Sequence, residues 1–213
     1  MIKDLFKAEN LMFLMQGLAV TLTIAVATIL LSIMIGTILG IARHSRNKAL
    51  SRMSGVYIES VRNVPMLLFI LAVRFMTPLN AVVSGIVAMT IFTSAVIAEI
   101  VRAGLNSIGQ GQWEAAKSQG LNHVTTLVHI VLPQALRNIT PALVSQFITV
   151  VKDTSFVWAV GTEELTGRAI ILMGKHNNPV QVFTLFGLVA AIYFIPNYVL
   201  SHMAHWRQRK ILH

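Results

Sequence analysis

The sequence predicts an all-α integral membrane protein with about five transmembrane helices. Of its 213 residues, 55% are hydrophobic and only 12% are charged, which is more apolar than a soluble domain of this size. A helix needs roughly 20 apolar residues to cross about 30 Å of hydrocarbon, so the length suits about five crossings with their connections. The chain is therefore expected to form one transmembrane domain over residues 1–213.

The first apolar run, Leu11 to Ile41, is too long for a cleavable signal peptide and is predicted to remain as a membrane helix. Near its end, Gly36 and Gly40 have a spacing that favours close contact between helices. Ordinary packing is the alternative explanation for this pair.

The second apolar run, Val64 to Met76, is short and begins with Pro65. Its helix is predicted to extend back through Tyr57 and Glu59, with a kink or an unwound turn near the proline. Interrupted membrane helices often line a substrate path, so Pro65 is a candidate member of one.

A tight reversal around Pro78 leads into the third run, Val82 to Val101. The fourth run, Ile139 to Val160, is interrupted by the polar residues 152–155. The last run is Val182 to Met203. Between these two, residues 161–179 are expected to form the longest external connection, with a short helix around Glu163 to Leu172.

The cationic residues predict the orientation, because loops on the cytoplasmic side keep positive charge. One side receives Arg43, Arg46, Lys48, Arg52, Arg62, Arg102, Lys117, Arg137, Arg207, Arg209 and Lys210. The other side receives only Lys3, Lys7, Arg74, Arg168 and Lys175. The N-terminus is thus expected outside, and the C-terminus and residues 106–137 in the cytoplasm.

The net charge of +9 lies in short clusters between apolar runs, which argues against a nucleic-acid-binding face. The absence of cysteine excludes disulfides and thiolate chemistry.

The polar stretch 106–137, called here the EAA segment, carries the most specific pattern in the chain. A short helix around Trp113 to Gln119 is predicted to break at Gly120, and a second amphipathic stretch ends at Leu132-Pro133. In that stretch, apolar residues recur at helical spacing: Leu121, Val124, Leu127, Val128 and Val131. Periodicity alone leaves open whether the chain's own membrane domain or a partner covers this face.

The fixed positions of the segment are Glu114, Ala115, Ala116, Gly120, Ile130, Leu132 and Pro133. Their spacing, EAA-x3-G-x9-I-x-LP, resembles the EAA loop of the permeases of ATP-binding-cassette (ABC) importers. The stretches 98–102, 111–116, 132–137 and 152–155 are similar to the histidine, glutamine and glutamate permeases among them. The resemblance covers most of residues 59–167.

The resemblance implies a type I importer permease fold in the cytoplasmic membrane of a bacterium. It also implies three partners: a second permease subunit, identical or homologous, an ATPase dimer that receives the EAA loop as a coupling helix, and an external amino-acid-binding protein. ATP and Mg²⁺ would bind to the ATPase, and no cofactor is expected in this chain. A polar amino acid of the glutamine or glutamate kind is the expected substrate.

Charged residues within apolar runs are functional candidates because burying them in lipid is costly. Glu99 and Arg102 share a helix face and are expected to form a structural ion pair rather than a substrate site. Asp153, Thr154 and Ser155 are candidates for the substrate path, with gating or structural pairing as the open alternative.

Arg74 could attract a carboxylate near the outer mouth, or it could be an outward-facing surface residue. The compact stretch around it, residues 73–78, departs from the longer aromatic-rich outer loop that the resembled permeases carry.

The runner-up function is a secondary, ion-coupled amino-acid transporter, although five spans without an inverted repeat match that class poorly. The sequence contains no HExxH, GxSxG or GxxxxGK[ST] motif, so we expect no enzyme activity and no ATPase site of its own. His202 and His205 are interpreted as an interfacial pair rather than as metal ligands.

Overall fold

The computed structural model describes residues 5–175 and 178–211, with side chains in the last helix as far as His202. The expectations for Lys3, and for the side chains of His205, Arg207, Arg209 and Lys210, fall outside the described residues. All regular secondary structure within the described ranges is helical.

The helices follow one another in the order α1 (Ala8–His44), α2 (Lys48–Arg62), α3 (Met66–Met76), α4 (Ala81–Asn106), α5 (Gln110–Ser118), α6 (His123–Thr126), α7 (Leu132–Asp153), α8 (Leu165–Met173) and α9 (Pro179–Ile211). A π-helical turn, Leu127–Val131, joins α6 to α7, and a 3₁₀ segment, Thr154–Val160, follows α7.

Four described stretches are long and apolar enough to cross a membrane: Ala8–His44, Ala81–Asn106, His123–Val160 and Pro179–His202. Helices α2 and α3 make a fifth crossing if the broken pair is counted as one span. The predicted all-α membrane class with about five spans is confirmed.

The second span breaks at the predicted place, as two separate helices. The backbone N–H of Asn63 donates to Glu59 O at 3.2 Å, and its side-chain amide donates to the same oxygen at 2.8 Å, which ends α2. Pro65 has an extended conformation (φ −57°, ψ 133°) and precedes the first residue of α3. Because proline lacks an N–H, it suits a helix start better than a helix interior.

The fourth span differs from the predicted one. We expected an amphipathic stretch to end at Leu132-Pro133, but the helical path runs from His123 through both residues to Val160. Pro133 lies in the first turn of α7, directly after the π turn, and its missing N–H is tolerated at such a position. The span therefore begins inside the EAA segment.

The chain divides into two compact units, each assembled from separate stretches of sequence. The first consists of Met1–Ile29, Pro65–Thr90 and Phe147–His213. Its apolar core joins the start of α1 to α8 and α9 and contains Leu5, Leu14, Leu165, Ala169, Leu172, Leu185, Val189 and Ile192.

The second unit consists of Leu30–Val64 and Ile91–Gln146. Within it, Gly36 and Gly40 let α1 approach α4 closely. A methyl group at Gly36 would lie 2.8 Å from Ile97 Cβ, and one at Gly40 would lie 2.7 Å from Ala98 O. These distances are too short for carbon, so the close contact favoured by the glycine spacing is present.

Candidate functional site

The EAA segment forms a short helix with a tightly closed end. The N–H of Gly120 donates to Lys117 O at 3.0 Å, and the N–H of Leu121 donates to Ala116 O at 3.1 Å. This is the Schellman pattern of helix termination, and it places Gly120 in the left-handed region at φ +78°. No atom lies within 4 Å of the position a Cβ would take at Gly120. The bend therefore requires glycine for its dihedral angle and not for lack of space.

The three residues of the EAA triplet do not share one environment. Glu114 and Ala115 are exposed, whereas Ala116 is 3% exposed and packs inward. Successive residues on a helix point about 100° apart, so only Ala115 remains on the outer surface with Glu114.

The later motif residues lie at the start of the fourth span. Ile130 and Leu132 are half-buried, and Pro133 is exposed. Of the apolar residues that recur at helical spacing, Val131 is fully buried, while Val124 and Val128 are 67% and 47% exposed. The chain itself thus covers only part of this face.

The indole of Trp113, on α5, lies between two imidazole rings. Its ring centroid is 4.9 Å from that of His123 and 6.2 Å from that of His44, with interplanar angles of 22° and 29°. His44 Nδ1 is 3.0 Å from Asn106 Oδ1. We call His44, Trp113 and His123 the aromatic stack.

Two open cavities flank the aromatic stack. One, of about 380 Å³, is lined by Arg46, Trp113, Glu114, Lys117, Leu121, His123 and Thr126. The other, of about 570 Å³, shares four of those residues and adds His44, Leu105, Asn106, Ile108 and Gln110. The EAA helix buries Ala116, contributes Trp113 to the stack and accepts a hydrogen bond at Gln112 Oε1 from Gln134 Nε2 at 3.3 Å.

Glu99 and Arg102 contact each other within α4. Arg102 Nε donates to both carboxylate oxygens at 3.1 Å, and Nη2 donates to Oε1 as well. The two side chains are about one-third exposed. This bidentate geometry fits a structural ion pair.

The candidate substrate-path residues all belong to the first unit, where α3 packs against the 3₁₀ segment. Asp153 and Ser155 are half-buried, and Pro65 is exposed. Thr154 is fully buried, and its hydroxyl donates to Val151 O at 2.8 Å. Asp153, Ser155 and the half-buried Arg74 are therefore the polar residues of this group that retain accessible surface.

One N–H donor of the Arg74 guanidinium is used within the chain. Its Nη1 donates to Leu79 O at 3.3 Å, across the turn that leads into α4. Thr77 donates to Val73 O in the same turn. Arg74 thus braces the reversal that the sequence predicted around Pro78.

Sequence reasoning missed a buried polar cluster, which we call the Glu164 clamp. Glu164 is fully buried, and its carboxylate accepts from the Gly167 N–H at 2.7 Å, Tyr193 OH at 2.8 Å and Thr21 Oγ1 at 3.2 Å. Thr21 in turn accepts from the Leu165 N–H at 3.1 Å. The clamp joins α1 and α9 to the start of α8.

Burial raises the pKa of the Glu164 carboxyl, and the hydrogen bonds from Gly167, Tyr193 and Thr21 oppose that rise. Glu164 is also the N-cap of α8, where its side chain accepts from the Gly167 N–H. Since glutamate is not among the preferred N-cap residues, no local sequence pattern pointed to this cluster.

Within the described part of the chain, no group of three or more His, Cys, Asp or Glu side chains is arranged to hold a metal ion. His202 belongs to that part, whereas the side chain of His205 lies outside it. His202 stacks on Tyr198, with ring centroids 6.1 Å apart.

Comparison with known proteins finds a matching family and similar sequences. Residues 32–212 match the family described as binding-protein-dependent transport system inner membrane component. The probable glutamine ABC transporter permease protein GlnP of Bacillus subtilis is 42% identical over 201 residues, covering 92% of each chain. The probable glutamine ABC transporter permease protein GlnM of the same organism is 32% identical, covering 95% of each.

Among solved structures, the crystal structure of an amino acid ABC transporter with histidines superposes with a TM-score of 0.86 at 29% sequence identity. The match covers 97% of both chains.

Proposed function

The chain belongs to the family of binding-protein-dependent transport system inner membrane components, and on that premise we propose that it carries glutamine or a similarly polar amino acid through an ABC importer. The observation that carries the substrate proposal is the 42% identity to a glutamine-named permease across 92% of both chains. A second glutamine-named relative supports it.

We further propose that the N-terminus lies outside and the EAA segment in the cytoplasm of a bacterial cell. The distribution of lysine and arginine supports this orientation. ATP and Mg²⁺ would then bind to a separate ATPase subunit, with a second permease and an external binding protein completing the assembly.

The EAA segment is the proposed coupling element, through Glu114, Ala115, Ala116, Gly120, Ile130, Leu132 and Pro133. The exposure of Glu114 and Ala115 on a short helix supports this role, because a partner groove can receive them directly. Since the fourth span begins within the same segment, a push on α5 would be passed to α7 through the Gly120 bend.

Asp153 is the proposed polar contact of the substrate path, with Ser155 beside it. An amino acid loses water on entering the membrane and needs partners for its charged groups. A half-buried carboxylate in the first unit suits the ammonium group. Arg74, Thr154 and Pro65 would shape the path rather than bind the substrate, since the first two already hydrogen-bond to backbone oxygens.

The transport function is tested by reconstituting the chain in vesicles with its ATPase, second permease and binding protein. We expect uptake only when ATP is supplied on the ATPase side, and ATP hydrolysis by the complex but not by this chain alone. The separate ATPase and the separate permease serve as controls. Uptake driven by an ion gradient without ATP would instead support a secondary transporter.

The substrate path is tested in the same vesicles with Asp153→Asn. A hydrogen bond to a charged group is worth about 1.5–3 kcal/mol, so we expect uptake to fall roughly tenfold or more at equal membrane abundance. Lys152→Gln is the matched control, because Lys152 is adjacent, charged and exposed. Arg74→Gln is expected to leave the preference among glutamine, glutamate, histidine and arginine unchanged. Equal uptake by wild type and Asp153→Asn would remove Asp153 from the path.

A further inference from the structure

The EAA helix has little to hold it in place. It spans nine residues, and Ala116 is its buried residue. Helices this short are marginal in water without tertiary contacts. Two open cavities lie beside it. Its orientation must therefore come from a small number of specific contacts.

The aromatic stack supplies the largest of these contacts. Trp113 is contributed by α5, His123 by the first residue of α6, and His44 by the last residue of α1. Offset stacking of this kind stabilises aromatic pairs beyond simple burial. The indole thus joins the helix to the elements that lie before and after it in the second unit.

The stack also reaches a third membrane helix through a hydrogen bond. Asn106 is the last residue of α4, and its Oδ1 lies 3.0 Å from His44 Nδ1. An amide oxygen accepts and does not donate, so Nδ1 of His44 carries the hydrogen. The ends of α1 and α4 are consequently tied to the same ring system as α5.

We propose that the aromatic stack positions the EAA helix, so that displacement of α5 by the ATPase moves the ends of α1 and α4 with it. This inference rests on the coupling role proposed above and assigns that role to residues outside the EAA motif. Trp113 and His44 are positioning residues, since they act through the orientation of Glu114 and Ala115.

The test measures uptake and ATP hydrolysis together in the reconstituted complex. Trp113→Leu keeps apolar bulk but removes the ring, and Trp113→Phe keeps a stacking ring. We expect the ratio of uptake to hydrolysis to fall roughly two- to tenfold for each stacked pair lost in Trp113→Leu, and Trp113→Phe to restore most of it. Ser118→Ala, at an exposed position on the same helix that lines neither cavity, is the matched control.

The mobility of the EAA helix can be measured directly with a spin label. Because the chain has no cysteine, one introduced cysteine takes the label at a single site. A spin label on Ala115→Cys should gain mobility in the Trp113→Leu background and not in Trp113→Phe. His44→Leu removes the stack on Trp113 and the hydrogen bond to Asn106, whereas Trp113→Leu removes both stacked pairs. Because the His44–Trp113 stack is lost in either variant, the double variant should be less defective than the two single losses combined.

The outcomes separate the two proposals. If the wild-type complex shows no ATP-dependent uptake, the proposed function fails. If wild-type uptake depends on ATP but Trp113→Leu keeps the wild-type ratio and label mobility, the aromatic stack does not position the helix. Equal losses in Trp113→Leu and Trp113→Phe would also overturn the inference, because stacking would not be the property that matters.

Discussion

Replacing Gly120 by valine is expected to reduce coupled uptake by roughly tenfold or more in the reconstituted transporter. Gly120 has φ +78°, a left-handed conformation that costs about 1–2 kcal/mol for a residue with a Cβ, and a β-branched side chain adds further strain. Each 1.4 kcal/mol is about a factor of ten in the population of the correct bend. The Schellman closure of α5 would open, and the EAA helix would lose its fixed relation to the fourth span.

Two further variants show whether the dihedral angle is the cause. Asparagine tolerates the left-handed region, so Gly120→Asn should retain most of the uptake. Gly109→Val places the same side chain at the other end of α5, where φ is −59° and no atom crowds the site, and it should be well tolerated. A Gly120→Asn variant as defective as Gly120→Val would show that the position requires something other than its conformation.

The short helix and the bend of the EAA segment were predictable because both depend on neighbouring residues in the sequence. The motif is contiguous, and the bend follows from one glycine and the two backbone hydrogen bonds around it. The break at Pro65 was predictable for the same reason, since proline removes a donor wherever it stands. Long apolar runs similarly fixed the number and type of the membrane helices.

The start of the fourth span was not predictable from the same reasoning. A proline usually marks a helix boundary. Here a π-helical turn directly precedes Pro133, and the helix continues through it. The hydrogen-bond partner of Arg74 could not be predicted either, because Arg74 contacts a backbone carbonyl, that of Leu79 in the following turn. A side chain's charge predicts that it needs a partner but does not identify the partner.

The aromatic stack and the Glu164 clamp were missed because their members are far apart in sequence. Thr21 and Glu164 are separated by 143 residues, and His44 and Asn106 by 62. Neither pair is linked by periodicity or by a motif. Contacts of this kind arise from the packing of whole helices, which local sequence patterns do not reveal.

Replacing Glu164 by alanine is expected to destabilise the protein strongly, because three donors lose one shared acceptor. Thr21, Tyr193 and the Gly167 N–H all point at this carboxylate. An unsatisfied buried polar group costs about 1–3 kcal/mol, so the sum is roughly 3 kcal/mol or more if all three stay unpaired. Thermal unfolding in detergent should show a clearly lower melting temperature. Glu163→Ala is the matched control, since Glu163 is exposed and makes only a 3.5 Å ion pair with Arg168.

The pH dependence of stability in glutamine variants at the same two positions tests whether the Glu164 carboxyl titrates on folding. Burial raises the pKa of Glu164 above its unfolded value of about 4.3. Below that pH the Glu164 carboxyl is protonated in both the folded and the unfolded protein, and its contribution to stability is complete. This contribution is lost as the pH rises through the pKa of the folded state. Glu164→Gln is isosteric and does not titrate, so wild-type stability relative to Glu164→Gln should decline as the pH rises above about 4 and then level off. The wild type should show no such decline relative to Glu163→Gln. If the two glutamine variants follow the same pH curve, folding does not raise the pKa of the buried Glu164 carboxyl, and that expectation is wrong.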